Sequence, residues 1–222
     1  MNDKETWKAV DAYFDEKLHI SDETTEAIKE KNDTEELPAI EVASTHGKML
    51  YLMAKMRNAN TILEIGTHGG YSTVWLARAL PEGGQMATLE ADEKHARVAE
   101  ENINAAGYGD VVHVVQGTAL DTLPSLMEKG YRHFDFIFID ANKENYPEYL
   151  KWALEFSKSG AVIVADNVVR NGRIIDGDTE EKQIPYLREF IDILSEDDRI
   201  EATAVQTVGV KGYDGFLLGI VK

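Results

Sequence analysis

The spacing of apolar residues changes once along the chain, and the change divides it in two. In ETWKAVDAYFDEKL, Trp7, Val10, Phe14 and Leu18 recur at helical spacing. Ser21, followed by Glu23 to Lys31, predicts a second helix with Ser21 as its N-cap. A third helix is predicted from Pro38, a residue tolerated at a first helical position, to about Arg57, with the loop NDTEELP before it. From Asn60 short apolar runs take over: TILEIG, MATLEA, VVHVVQG, FDFIFID and AVIVAD. Amphipathic stretches near 71–80, 93–106, 119–129 and 145–157 separate them. That alternation predicts an α/β fold, a parallel sheet with helices on both faces. The closing RIEATAVQTVGVKGYDGFLLGIVK reads as two strands joined by a short glycine-containing loop, hence an antiparallel pair. The expected organisation is one domain, a helical cap over 1–58 and a core over 59–222, with no internal repeat.

Composition narrows the classes. A chain of 222 residues that is 43% hydrophobic supports one packed domain. The absence of cysteine excludes disulfides, thiolate metal sites and cysteine nucleophiles. MNDKETWKAV is charged where a signal peptide would be apolar, and no apolar run approaches the roughly 18 residues of a spanning helix. A soluble, cytoplasmic protein without membrane partners is expected. The net charge of −17 repels polyanions at long range. Nucleic-acid binding would need a local basic face, and the pairs Lys55/Arg57 and Arg170/Arg173 do not make one.

In open sheets of this type, ligands bind beyond the carboxyl ends of the strands. Those ends are Glu64–Gly66, Glu90, Gly117, Asp140 and Asp166. Glu64, Gly66 and Gly70 form E-x-G-x-x-x-G, and His68 stands where the dinucleotide fingerprint needs its second glycine. Bulk at that point argues against a pyrophosphate, and the acid at Glu64 favours a cationic ligand. Glu90, 24 positions after Gly66, is placed to accept hydrogen bonds from both hydroxyls of a ribose. A ligand with a ribose, positive charge and no phosphate fits S-adenosylmethionine. Backbone N–H groups at the start of GYSTVWLARAL, with the Ser72 hydroxyl, are candidates to hold its carboxylate, though Ser72 also suits ordinary first-turn chemistry.

FIFIDANKENY and VIVADNVV place Asp140, Asp166 and Asn167 at neighbouring strand ends, about 5 Å apart in a sheet. Three hard oxygen donors suit Mg²⁺, with Ca²⁺ or Mn²⁺ as alternatives. Helix capping by the two aspartates is the competing reading. Lys143 follows three residues after Asp140. A nearby divalent cation disfavours its ammonium form, and a neutral lysine can take a proton from a hydroxyl on the metal. The competing reading is a solvated surface lysine.

Together, LEIGTHGGYS, TLEAD, FIDANKENY and VIVADNVV resemble the metal-dependent class I O-methyltransferases, which include catechol and caffeoyl-coenzyme A O-methyltransferases and bacterial relatives. The resemblance spans about residues 38–222. It implies a Rossmann-like seven-stranded sheet with an antiparallel last strand. It implies S-adenosylmethionine contacts at Val42, Glu64, Gly66, Ser72, Glu90, Ala119 and Asp140, metal ligation by Asp140, Asp166 and Asn167, and Lys143 as general base. It also implies a homodimer with the N-terminal helices near the site. The implied acceptor is a vicinal dihydroxy aromatic; a hydroxylated tRNA base and a binding module without turnover are the alternatives. Two positions depart from the pattern. Asn142 replaces an aspartate in DANK, and Arg170 of DNVVRNG stands at a tryptophan of plant relatives, where it either favours an anionic or polar acceptor or faces solvent.

Overall fold

The computed structural model describes residues 2–222. Three helices come first: α1 (Asp3–Leu18), α2 (Glu23–Thr34) and α3 (Ser44–Arg57). The N-cap of α2 is Asp22, one residue after the expected Ser21, and its carboxylate accepts from the Thr25 N–H. Ser21 instead bonds Asp15 through both its N–H and its hydroxyl. Helix α3 starts six residues later than Pro38 suggested. The segment in between runs along the ligand cavity described below, so tertiary context overrides the proline signal there.

The remainder alternates as the apolar runs require: β1 (Thr61–Ile65), α4 (Tyr71–Ala77), β2 (Gln85–Glu90), α5 (Glu93–Ala105), β3 (Val112–Gln116), α6 (Ala119–Thr122), β4 (Phe134–Ile139), α7 (Tyr146–Glu155), β5 (Ser157–Asp166), α8 (Ile184–Glu196), β6 (Ile200–Gly209) and β7 (Gly212–Val221). The stretch expected as one helix over 119–129 is α6 plus a separate 3-10 turn, Leu123–Leu126, with Pro124 in the first turn. The sheet runs β3-β2-β1-β4-β5-β7-β6, all parallel except β7, which is antiparallel to both neighbours. This is the seven-stranded arrangement that the resemblance implies. A tight β6–β7 hairpin closes at Gly209 and Gly212.

Strand β4 is central and wholly buried. Phe134, Ile137 and Ile139 pack into the core on one face of the sheet, Phe136 and Phe138 into the core on the other. Burial on both faces is why its sequence is continuously apolar rather than alternating. Its one charged residue, Asp135, accepts from the Asn60 and Thr61 N–H groups and pairs with Arg57, tying the end of α3 to the start of β1.

At the cap, helix α1 forms as its periodicity predicts but buries no residue; Phe14 is 46% and Leu18 64% exposed. Among the described residues, no helix is long and apolar enough to cross a membrane.

Candidate active site

A cavity of about 890 Å³ opens beyond the carboxyl ends of β1, β2, β4 and β5. Val42, Gly66, Ser72, Glu90 and Ala119 line one part of it. Asp140, Lys143, Asp166 and Asn167 line it as well. The sheet order explains this convergence: β1 and β4 are neighbours, as are β4 and β5, so consecutive tips deliver their side chains to one place.

Glu64 is the residue that does not reach the cavity. It is fully buried beneath the glycine turn, and its oxygens accept from Ser72 Oγ (2.6 Å), Thr73 Oγ1 and Thr88 Oγ1 (2.6 Å). Burial pushes its carboxyl up from 4.5 to about 7, with the three hydroxyls pulling it partly back. In this structure Glu64 braces the turn, and Ser72 points its hydroxyl at Glu64 while lining the cavity. Gly66 also has a structural reason beyond any ligand: with φ at +102°, a Cβ there would lie 2.1 Å from the Asp140 carbonyl oxygen. The β1 and β4 turns pass too closely for any side chain between them.

Glu90 sits differently. Its Oε2 accepts from the His68 N–H (2.7 Å) and its Oε1 from the Asp92 N–H (2.9 Å). An ionised carboxylate has about four acceptor positions, so each oxygen keeps room for a ligand hydroxyl. Both ring nitrogens of His68 are buried in the cavity wall without a hydrogen-bond partner, and burial, then His95, holds the ring below the usual histidine range. Such unpaired polar atoms fit a wall that receives a polar ligand.

Around the tips of β4 and β5, neither aspartate caps a helix. Asp140 accepts from Lys143 Nζ at 3.0 Å, while among the described residues the only hydrogen bond to the Asp166 side chain comes from the N–H of Asn167, at 2.8 Å. Asp166 is 6% exposed; burial pushes its carboxyl up to about 6, with His46 opposing the shift and the Asp140 charge adding to it. Asn167 holds a left-handed backbone at φ +57°. Lys143 is no surface lysine: it is 5% exposed, and its second donation goes to the Tyr146 hydroxyl at 2.8 Å. That hydroxyl in turn points at the carbonyls of Ile139 and Asp166, 3.1 and 2.9 Å away.

No three His, Asp or Glu side chains group as a metal site among the described residues. The set at these tips is two carboxylates and one amide, a donor class that fits a hard divalent cation retaining waters or substrate oxygens. The like charges of Asp140 and Asp166, with Asp166 nearly free of hydrogen bonds, are the observation in favour of that fit.

The sequence did not signal two further residues. Tyr146 orients Lys143, yet in KENYPEY it reads as an ordinary aromatic of a helix start. His46 Nδ1 lies 3.8 Å from Asp166 Oδ2, brought there by α3. Only its position on the face of α3 turned to the sheet could have marked it, and that needs the fold first.

A family model described as O-methyltransferase matches residues 16–218. The chain is 45% identical over 216 residues to a catechol O-methyltransferase of Niastella koreensis, across 97% of this chain and 98% of that one. An O-methyltransferase from Bacillus cereus, solved in complex with SAH, superposes with a TM-score of 0.96 at 48% identity, covering 99% of this chain and 100% of that one. The O-methyltransferase TomG of Streptomyces achromogenes, involved in tomaymycin synthesis and solved with SAM, gives 0.95 at 43% identity over 100% of both. The chain belongs to the O-methyltransferase family.

Proposed function

We propose that this S-adenosylmethionine-dependent O-methyltransferase methylates one hydroxyl of a catechol-like vicinal dihydroxy aromatic in an Mg²⁺-dependent reaction. The observation that carries the reading is the meeting of Asp140, Asp166, Asn167 and Lys143 in the cavity that Gly66, Ser72 and Glu90 also line. Asp140, Asp166 and Asn167 would hold the ion, and Glu90 the ribose hydroxyls. Bound there, Mg²⁺ would supply Lewis acidity that eases ionisation of a phenol near neutral pH. Lys143, held between Asp140 and the Tyr146 hydroxyl, would serve in its neutral form as acceptor for the phenolic proton. Tyr146 holds the Lys143 amine in place from below. The chain's main contribution is placement of the acceptor oxygen in line with the donor's methyl group. The relatives named catechol O-methyltransferase support this acceptor class. So does the net charge of −17, which disfavours a tRNA acceptor.

The test is methyl transfer from S-adenosylmethionine to dihydroxy aromatics and to undermodified tRNA, with and without Mg²⁺. The reading expects metal-dependent turnover of the aromatics only. Turnover confined to tRNA, or undiminished in excess chelator, refutes it; cofactor binding with no acceptor turned over would indicate a binding module. A homodimer is part of the proposal. The apolar side chains that α1 leaves exposed, with Leu52 and Met56 of α3, support it, and light scattering of the full chain reads it as twice the 24.8 kDa monomer mass.

A further inference from the structure

Past Asn167 the chain takes an unusual path. Asn167, Arg170 and Asn171 all hold positive φ, at 57°, 54° and 53°. Asparagine adopts that conformation readily, but a long side chain such as that of Arg170 does so only where its surroundings favour it, and such residues cluster at functional sites. Here the enforcement is visible. Asp214 Oδ1 on β7 accepts the N–H groups of Val169 (3.1 Å), Arg170 (2.9 Å) and Gly215 (2.9 Å). The backbone at Arg170 is therefore pinned to the sheet, three residues after Asn167.

The side chain is pinned as well. Arg170 Nε and Nη2 both donate to Glu181 Oε1, at 2.9 and 2.6 Å. Glu181 Oε2 is taken by Arg173 Nη1 at 2.9 Å. One carboxylate thus serves two guanidinium groups, which leaves the cluster with a positive charge beyond what Glu181 neutralises. Arg170 lines the cavity, and its Nη1 donates no hydrogen bond among the described residues. The other cavity cations are committed elsewhere: Lys143 to Asp140 and Tyr146, Lys211 to the Ala39 carbonyl and Glu41. A guanidinium held along one edge presents its other edge, in fixed orientation, to a planar anionic group.

We infer that Arg170 determines acceptor specificity by binding a carboxylate on the far side of the dihydroxy aromatic ring. The inference rests on the acceptor reading proposed above and adds to it the anionic substituent. The ring's two hydroxyls lie toward Asp166 and Asn167, and its carboxylate toward the free edge of Arg170. Glu181 and Asp214 are the positioning residues, acting through Arg170 rather than on the acceptor.

The experiment compares 3,4-dihydroxybenzoate with 3,4-dihydroxybenzamide, which differ in charge at one substituent. Within each variant the readout is the ratio of kcat/KM for the acid to that for the amide, so a general loss of folded enzyme cancels. The native chain should prefer the acid by about tenfold or more, the scale of one charge-assisted hydrogen bond. In Arg170→Gln the ratio should fall to near one through a raised KM for the acid, and Arg170→Lys should restore part of it. An equal ratio in the native chain, or an acid preference that survives Arg170→Gln, overturns the inference. If the native chain methylates neither compound, the catechol reading itself falls and takes this one with it.

Discussion

Two buried carboxylates sit on strands of one sheet that β4 separates, Glu64 on β1 and Asp166 at the end of β5, and their surroundings differ in kind. Glu64 is enclosed by three hydroxyl donors and does not line the cavity. Asp166 is almost as buried, accepts one N–H from the next residue, and faces the charge of Asp140. Burial raises both acids above their ordinary range. The first is a finished piece of construction, its desolvation partly offset by three hydroxyls from within the protein. The second is left short of partners at the place where a ligand would arrive. The contrast teaches that burial and a perturbed acid do not by themselves mark a catalytic group; the count of protein hydrogen bonds to it separates brace from site.

If the Asp166 side of this contrast is right, removing its carboxylate has the largest effect. Asp166→Ala should lower methyl transfer about 10³-fold, to the level reached in excess chelator, with S-adenosylmethionine binding largely kept; paired kinetics and calorimetry check both halves. Next comes Lys143→Met, which should cost about 10²-fold in kcat with little change in acceptor KM, as steady-state kinetics would show. A large KM effect with normal kcat would instead make Lys143 a binding group.

On the Glu64 side the effect should appear in stability. Its folded carboxyl titrates near 7 against 4.5 when exposed, so the folded state holds its proton more tightly. Stability from this group is therefore full below about 4.5 and is lost as pH rises through 7, by about 3 kcal/mol in all. Glu64→Gln cannot ionise, so its denaturant-melt stability should gain on the native chain by that amount between pH 4.5 and pH 7.5. Parallel curves would mean that the hydroxyls offset the whole desolvation. The smallest effect belongs to Thr88→Val, which removes one of the three donors at similar volume. It should cost about 1–2 kcal/mol in the same melts at neutral pH.

The contrast also shows what the sequence could carry. Strand positions were legible because β1, β2, β4 and β5 are buried on both faces, which forces short runs such as FIFI and VIVA. The ends of those runs then located Glu90, Asp140 and Asp166. No helix was expected over 184–196, although Ile184, Leu187, Phe190 and Leu194 keep helical spacing and Pro185 stands in the first turn. The hydroxyl partners of Glu64 were not legible, because alternation along a strand gives its face but not what covers that face. Its partners Thr73 and Thr88 come from another helix and another strand, and only the packed fold brings them together. His46 and Tyr146 were illegible for the same reason. Arg170 was visible as a departure, and its pairing with Glu181, eleven residues on, needed the structure.

The central claim is that Asp140, Asp166 and Asn167 together hold one divalent cation. Titrating Mn²⁺ into the native chain and into Asp166→Ala, each saturated with S-adenosylmethionine, and following the bound ion by calorimetry tests it most directly. The account predicts one ion per native chain, with methyl transfer rising in step with occupancy, and no binding in the variant over the same range. Equal stoichiometry and affinity in the two proteins would contradict it.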